Sequence, residues 1–282
     1  MSEAEMIDCH THVVAADREA YPLDPRALSA SQWYLDCPQS AEQLRDAMDP
    51  AGVARAILVQ GVGAYSYDNR YIADMGRKYP TRFVSACCID VEADSALEQV
   101  DHWIGSQGVQ GIRLFALSRE GSSWLADERT FPIWERATKL GAHVIITILS
   151  GQIPELRAVL TRFPDIPVSL DHCAFALAEQ AAHPRLLELA VFPNLHLKVT
   201  THNLDDATQK DGSARPLVGE LVDLFGADRL MWGSDFCQTH DRSYAQLVAL
   251  ARDAFGGLTE ADREWCLGGT ARKLWPGLRP GG

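Results

Sequence analysis

His10 and His12 stand two residues apart in the apolar, β-prone run Ile7-Asp8-Cys9-His10-Thr11-His12-Val13-Val14. Residues i and i+2 of a strand share a face. Both imidazoles can therefore aim at one point, which suits a divalent metal with nitrogen donors about 2.0–2.1 Å away. The bland use of such a pair is one core histidine beside one loop histidine. Polar residues with similar potential recur at the ends of later apolar runs: Arg113; Asp171 and His172; Lys198, Thr200 and His202; and Asp235, with Gln238 and His240 just beyond. Two histidines from the first run, a third histidine and an aspartate can hold one Zn²⁺ or Mn²⁺ with a position left open for water. Such an ion lowers the pKa of water or polarises a substrate carbonyl. Asp235 can serve as ligand, as the base that takes the water's proton, or as both. Each residue also has a structural alternative. Asp235, after Trp-Gly-Ser, can cap the following turn; Asp171 can pair with its neighbour His172; Arg113 can bridge to a loop carboxylate. His183 and His196 are expected at the surface. Cys173 and Cys237 lie near these residues, but a cysteine nucleophile needs an activating base.

These residues need a frame that brings strand ends together. Short apolar runs at 54–60, 82–89, 109–115, 143–148, 166–172, 195–200 and 229–236 follow the first one. Helical patterns separate them: 40–48 with Ser40 as cap, 68–79 before Pro80, 94–105, 128–140 before Gly141, 152–163 before Pro164, 184–190 and 214–225 before Gly226. Helices at 244–255 and 261–274 close the chain. Eight βα units of this length predict a single-domain (β/α)8 TIM barrel over residues 1–282, with chemistry at the C-terminal ends of the strands. Gly61-Val62-Gly63 continues as Ala64-Tyr65-Ser66, which is no dinucleotide fingerprint. The long stretch from Ala15 to Pro38, rich in proline and aromatics, reads as an ordered functional loop.

Composition narrows the function classes. The chain has 282 residues, 46% of them hydrophobic, and a formal net charge of −12. That balance argues against nucleic acid and against a polybasic membrane anchor, while a local Arg can still receive an anionic small-molecule substrate. The seven cysteines lack zinc-finger spacing and read as reduced thiols. Met1-Ser2-Glu3-Ala4-Glu5 has no basic or long apolar segment, and no stretch reaches the roughly 20 apolar residues of a membrane span. A cytoplasmic enzyme is the expectation, with a homo-oligomer left open.

Ile7-Asp8-Cys9-His10-Thr11-His12, Leu170-Asp171-His172-Cys173 and Met231-Trp232-Gly233-Ser234-Asp235-Phe236, in this order across almost the whole chain, resemble the amidohydrolase superfamily, and within it the amidohydrolase 2 branch of small barrels. That branch includes pyrone dicarboxylate lactonases, sulfomuconolactone hydrolases, sugar-acid lactonases and aminocarboxymuconate semialdehyde decarboxylases. The resemblance implies that His10, His12 and His172 form the imidazole cluster and that Asp235 activates water. It implies that Arg113 binds a substrate carboxylate or carbonyl. The fourth run ends in Arg-Leu-Phe rather than a bridging Lys, and the fifth ends without a ligand His. His143 lies at the opposite end of that run. A two-metal site is therefore not expected. Some lactonases of the branch work without metal, so a metal-free route stays beside one divalent ion, Zn²⁺ before Mn²⁺. The expected function is hydrolysis of a small polar carbonyl compound, foremost a lactone bearing a carboxylate or sugar-acid group. His240, Lys198 and His202 join Arg113 as substrate-binding candidates. The alternatives are non-oxidative decarboxylation, lactone isomerisation and a barrel retained only for binding.

Overall fold

The computed structural model describes residues 5–27, 32–118 and 123–279. Eight parallel strands form one sheet in sequence order: β1 (Met6–Thr11), β2 (Val53–Val59), β3 (Phe83–Cys88), β4 (Gly111–Phe115), β5 (His143–Thr147), β6 (Val168–Leu170), β7 (Leu195–Thr200) and β8 (Leu230–Gly233). The sheet closes on itself at a β1–β8 seam. His12 N donates to Phe236 O at 2.5 Å, Asp235 N donates to His10 O at 2.8 Å, and Thr11 bridges in parallel to Phe236. Closure removes both sheet edges, and the expected (β/α)8 barrel is the fold.

Buried Asp8 clamps that seam from outside the barrel. Its Oδ1 accepts from Ser234 N at 2.9 Å and from His10 N at 3.1 Å, and its Oδ2 accepts from the Tyr244 hydroxyl at 3.0 Å. Gly233 sits where β8 crosses β1: a Cβ there would lie 2.6 Å from the His10 Cβ. The "Gly" of Trp-Gly-Ser-Asp is thus fixed by close approach of two strands. β1 carries one extra residue against β2, since Asp8 pairs with Ala56 but Thr11 pairs with Leu58. A bulge of this kind re-aims side chains. Asp8 faces out, while His10 and His12 both face the mouth.

The opposite end is plugged. Trp275, between the helix Thr270–Leu274 and the closing turn Pro276–Leu278, packs with Leu278, Ile7, Val84 and Ile145 inside the barrel, and a Cβ on Gly111 would run into its ring. His143, at the start of β5, lies 5.1 Å from the Trp275 ring and bonds Ser169 Oγ at 2.6 Å. It belongs to this plug, at the far end from the mouth. His196 is also there and is buried, against the expectation of a surface residue.

Helix starts follow local chemistry. Ser40 caps Ala41–Ala51 with Gln43 in a reciprocal capping box, and Ser243 does the same for Tyr244–Ala254 with Gln246. Several elements differ from expectation. The helix expected over 214–225 is Arg215–Phe225, and an unexpected helix, Thr201–Asp211, precedes it and ends at Gly212 with φ +77°. The sixth and eighth strands end at Leu170 and Gly233, short of the expected 172 and 236, because the chain turns left-handed directly after them. The loop expected over Ala15–Pro38 holds a short helix, Trp33–Asp36, and residues 28–31 of it lie outside the described residues. Among the described residues no helix is long and apolar enough to cross a membrane.

Candidate active site

The barrel mouth gathers side chains from six strand ends, those of β1, β4, β5, β6, β7 and β8. Asp235 Oδ1 lies 3.3 Å from His12 Nε2 and 3.5 Å from His10 Nε2. The His10 ring is 4.7 Å from that of His172 and 5.0 Å from that of His12. All four residues are buried.

Each of the three imidazoles has its other nitrogen held by an oxygen. His12 Nδ1 is 2.9 Å from the Val59 carbonyl, which can only accept. His172 Nδ1 is 2.8 Å from Thr200 Oγ1; that hydroxyl turns its own proton toward Asn203 Oδ1 at 3.3 Å and so accepts from the ring. His10 Nδ1 is 3.2 Å from the Asp171 carboxylate. Partners of this kind place the ring proton on Nδ1 and leave the Nε2 lone pair free. The lone pairs of His10 and His12 and the Asp235 oxygen consequently face one another, while a His172 donor atom converges with His10 and Asp171 in a neighbouring group. His10 Nε2 and Asp235 Oδ1 are buried without any hydrogen-bond partner, a costly state for polar atoms unless a cation joins them. A tetrahedron with arms of about 2.0–2.1 Å has edges of about 3.3–3.4 Å, close to the two spacings at Asp235. The donor set therefore fits a divalent ion.

Asp235 is fixed by its other oxygen. Oδ2 accepts from His202 Nε2 at 2.9 Å, with the Thr239 hydroxyl at 3.5 Å. Burial alone would raise its pKa. The His12 and His202 imidazoles beside the carboxylate, with the nearby His172 and His10 rings, instead hold it well below the usual carboxylate range. His202, on the first turn of the Thr201–Asp211 helix and 44% exposed at its side chain, is pushed up by that same carboxylate. Burial pushes His172 down to about 4, and it pushes His10 well below its ordinary value against the pull of Asp171.

The backbone here is strained. His172, Cys173, Ala174 and Phe175 all have φ between +51° and +55°, and Asp235 has φ +59°. Left-handed geometry costs a non-glycine residue roughly 1–2 kcal/mol. Four in succession persist only because their surroundings fix them. Asn203 Nδ2 donates to His172 O at 3.0 Å, and Phe175 stacks on the His172 ring at 4.9 Å.

Below the imidazoles lies a charged layer centred on Asp171. Its Oδ2 accepts from Arg113 Nε at 2.9 Å and from Thr147 Oγ1 at 2.7 Å, and its Oδ1 lies 3.1 Å from Lys198 Nζ. Burial would raise this carboxyl, but Lys198, His10 and Arg113 hold it well below the ordinary value. Asp171 thus pairs with His10 across the barrel rather than with its neighbour His172. Arg113 and Lys198 reach the site from below, both buried, with the Arg113 guanidinium 4.9 Å over the Phe115 ring. His240 lies on the exposed rim, its Nδ1 2.7 Å from Gln238 O, and no hydrogen bond or ion pair joins it to the buried cluster among the described residues. The sequence reading missed Asn203, Thr200 as a partner of His172, and the reach of Asp171. The Thr-x-x-Asn spacing of a helix cap was the one signal available for the first two.

A family model described as amidohydrolase matches residues 7–277. The chain belongs to the amidohydrolase family. Within it, the chain is 29% identical over 241 residues to the L-fucono-1,5-lactonase of Burkholderia ambifaria, covering 82% of this chain and 79% of that one. It is 26% identical over 248 residues to the 2-pyrone-4,6-dicarboxylate hydrolase of Comamonas testosteroni, covering 83% and 77%. Among solved structures, a Burkholderia multivorans amidohydrolase with bound zinc superposes with a TM-score of 0.76 at 22% identity over 97% of this chain and 99% of that one. This amidohydrolase is accordingly an enzyme with the family's barrel.

Proposed function

We propose that this amidohydrolase opens the ring of a small lactone, in particular a sugar-acid lactone, with Asp235 as the base. The observation that carries the reading is the free Oδ1 of Asp235, set 3.3 Å from His12 Nε2 and 3.5 Å from His10 Nε2. The two relatives, a sugar lactonase and a pyrone hydrolase by name, support a cyclic ester as substrate.

His10, His12, His172 and Asp235 would hold one divalent ion, Zn²⁺ or Mn²⁺. A divalent ion held there supplies Lewis-acid polarisation of an ester carbonyl and acidifies water. Asp235 Oδ1 takes a proton from water as its oxygen bonds to the lactone carbonyl carbon. The ring C–O bond then breaks, and the departing alkoxide receives the proton from Asp235. His202 and Thr239 keep Oδ2 occupied, so Oδ1 is the oxygen left to move the proton. His202 and His240 at the rim, with Arg113 and Lys198 beneath, orient the substrate. Arg113 and Lys198 already share the Asp171 carboxylate, which favours a ring carrying hydroxyls over one carrying two carboxylates.

A panel of aldonolactones and 2-pyrone-4,6-dicarboxylate, with added Zn²⁺ or Mn²⁺, tests this by proton release with CO₂ measured in parallel. The expected result is protons without CO₂, fastest on a hydroxylated lactone. Release of CO₂, or no turnover of any lactone, would overturn the proposal.

A further inference from the structure

Asp171 is buried, its oxygens touch four groups from four different strands, and the hydrolytic scheme gives it no task. It lies 3.2 Å from His10 Nδ1, the nitrogen turned away from the centre. Arg113, Thr147 and Lys198 surround its remaining positions at 2.7–3.1 Å. Donor atoms of His10, Asp171 and His172 also converge within 4.8 Å, a second grouping that could hold a cation. The Lys198 ammonium already stands against Asp171 there, and lies 3.5 Å from His10 Nδ1.

We propose that Asp171 is a positioning residue that holds the proton of His10 on Nδ1 and so presents Nε2 to the metal, while Lys198 and Arg113 stand against its oxygens and fill the second cation seat. This rests on the metal-assisted reading above. Two partners compete for His10 Nδ1. Lys198 is a donor and, left alone with His10, would donate to an unprotonated Nδ1 and so favour the ring proton on Nε2, where it would block a metal. The Asp171 carboxylate stands between them, its Oδ1 3.2 Å from His10 Nδ1 and 3.1 Å from Lys198 Nζ, and settles the contest. Outer-shell carboxylates of this kind typically change metal affinity about 10–100-fold when removed.

The test uses Asp171→Asn in the full chain, read in two ways. Competition with a chromophoric chelator gives Zn²⁺ affinity, and long-range ¹H–¹⁵N correlation of the histidine rings gives the His10 tautomer in metal-free protein. The expected result is a roughly 10–100-fold weaker affinity together with a shift of His10 toward the Nε2–H form. Affinity within about threefold of wild type and an unchanged tautomer would overturn the proposal. Should Asp171→Asn fail to fold because Lys198 is left buried and unpaired, the double variant Asp171→Asn/Lys198→Met removes both charges. The double variant leaves Nδ1 with neither its carboxylate nor its competitor, so an affinity weaker than wild type is expected, and wild-type affinity in it would overturn the proposal. If wild-type protein turned over no lactone, the proposed reaction would fall, yet the tautomer comparison would still decide the role of Asp171.

Discussion

At the scale of single residues, the site is a set of lone pairs aimed by their second partners. Asp235→Asn keeps the shape of the side chain, and Asn tolerates the left-handed backbone at φ +59° as readily as Asp. The variant is therefore expected to fold, and to lose about 10²–10⁴-fold in kcat for lactone opening with little change in KM. Steady-state kinetics on the best lactone of the panel checks this, and a loss smaller than tenfold would remove Asp235 as the base. Thr200→Val probes His172 in a similar way. The methyl group cannot accept from Nδ1, so Zn²⁺ affinity should fall roughly tenfold while far-ultraviolet circular dichroism stays unchanged.

At the scale of elements, precision comes from the seam between β1 and β8. Gly233→Ala would set a methyl 2.6 Å from the His10 Cβ and 3.1 Å from its backbone nitrogen. Overpacking typically costs 1–3 kcal/mol. Urea unfolding should show about that loss, and activity should fall further because His10 is the residue displaced. Stability equal to wild type would mean that the two strands can part freely. The same seam shows what the sequence made legible. Apolar runs of strand length gave all eight strands, and the residues at their ends, His10, His12, His172 and Asp235, meet at one mouth because parallel strands in a closed barrel all finish on the same rim. What remained hidden depends on contacts between distant segments. The Thr201–Asp211 helix buries little beyond Leu204 and Ala207, so it lacks the apolar stripe by which a helix is read. Nothing in the run Leu170-Asp171-His172 tells that the two polar residues part company, Asp171 toward His10 and His172 into a left-handed turn.

At the scale of the whole molecule, the two ends of the barrel do different work. The rim at the strands' C-terminal ends holds the lone pairs and their strain, while the N-terminal end is closed by Trp275 and its neighbours and serves stability. His196, at the start of β7, reports on that lower end. Its Nδ1 lies 3.2 Å from Asn194 O and 3.3 Å from Val168 O, and burial lowers its pKa to about 4 against an ordinary 6.5. Between those two values the unfolded chain binds a proton at this histidine and the folded one does not. Stability from His196 is therefore complete above pH 6.5 and is lost as the pH falls toward 4. Down to pH 4.5 the loss is roughly 2–3 kcal/mol for this one group. His10 and His172 shift in the same direction, and Asp8, raised by burial to about 6, works in the opposite one; all three are present in any comparison that changes only His196, while His143, lowered by burial and by His196 itself, belongs to the same lower-end unit. Urea unfolding of wild type and His196→Gln at pH 7, 5.5 and 4.5 isolates the effect. The variant should be the less stable protein at pH 7, since it loses buried packing, and the gap should close by about 2 kcal/mol at pH 4.5. Parallel pH profiles for the two proteins would show that the imidazole takes up its proton without opening the lower end of the barrel.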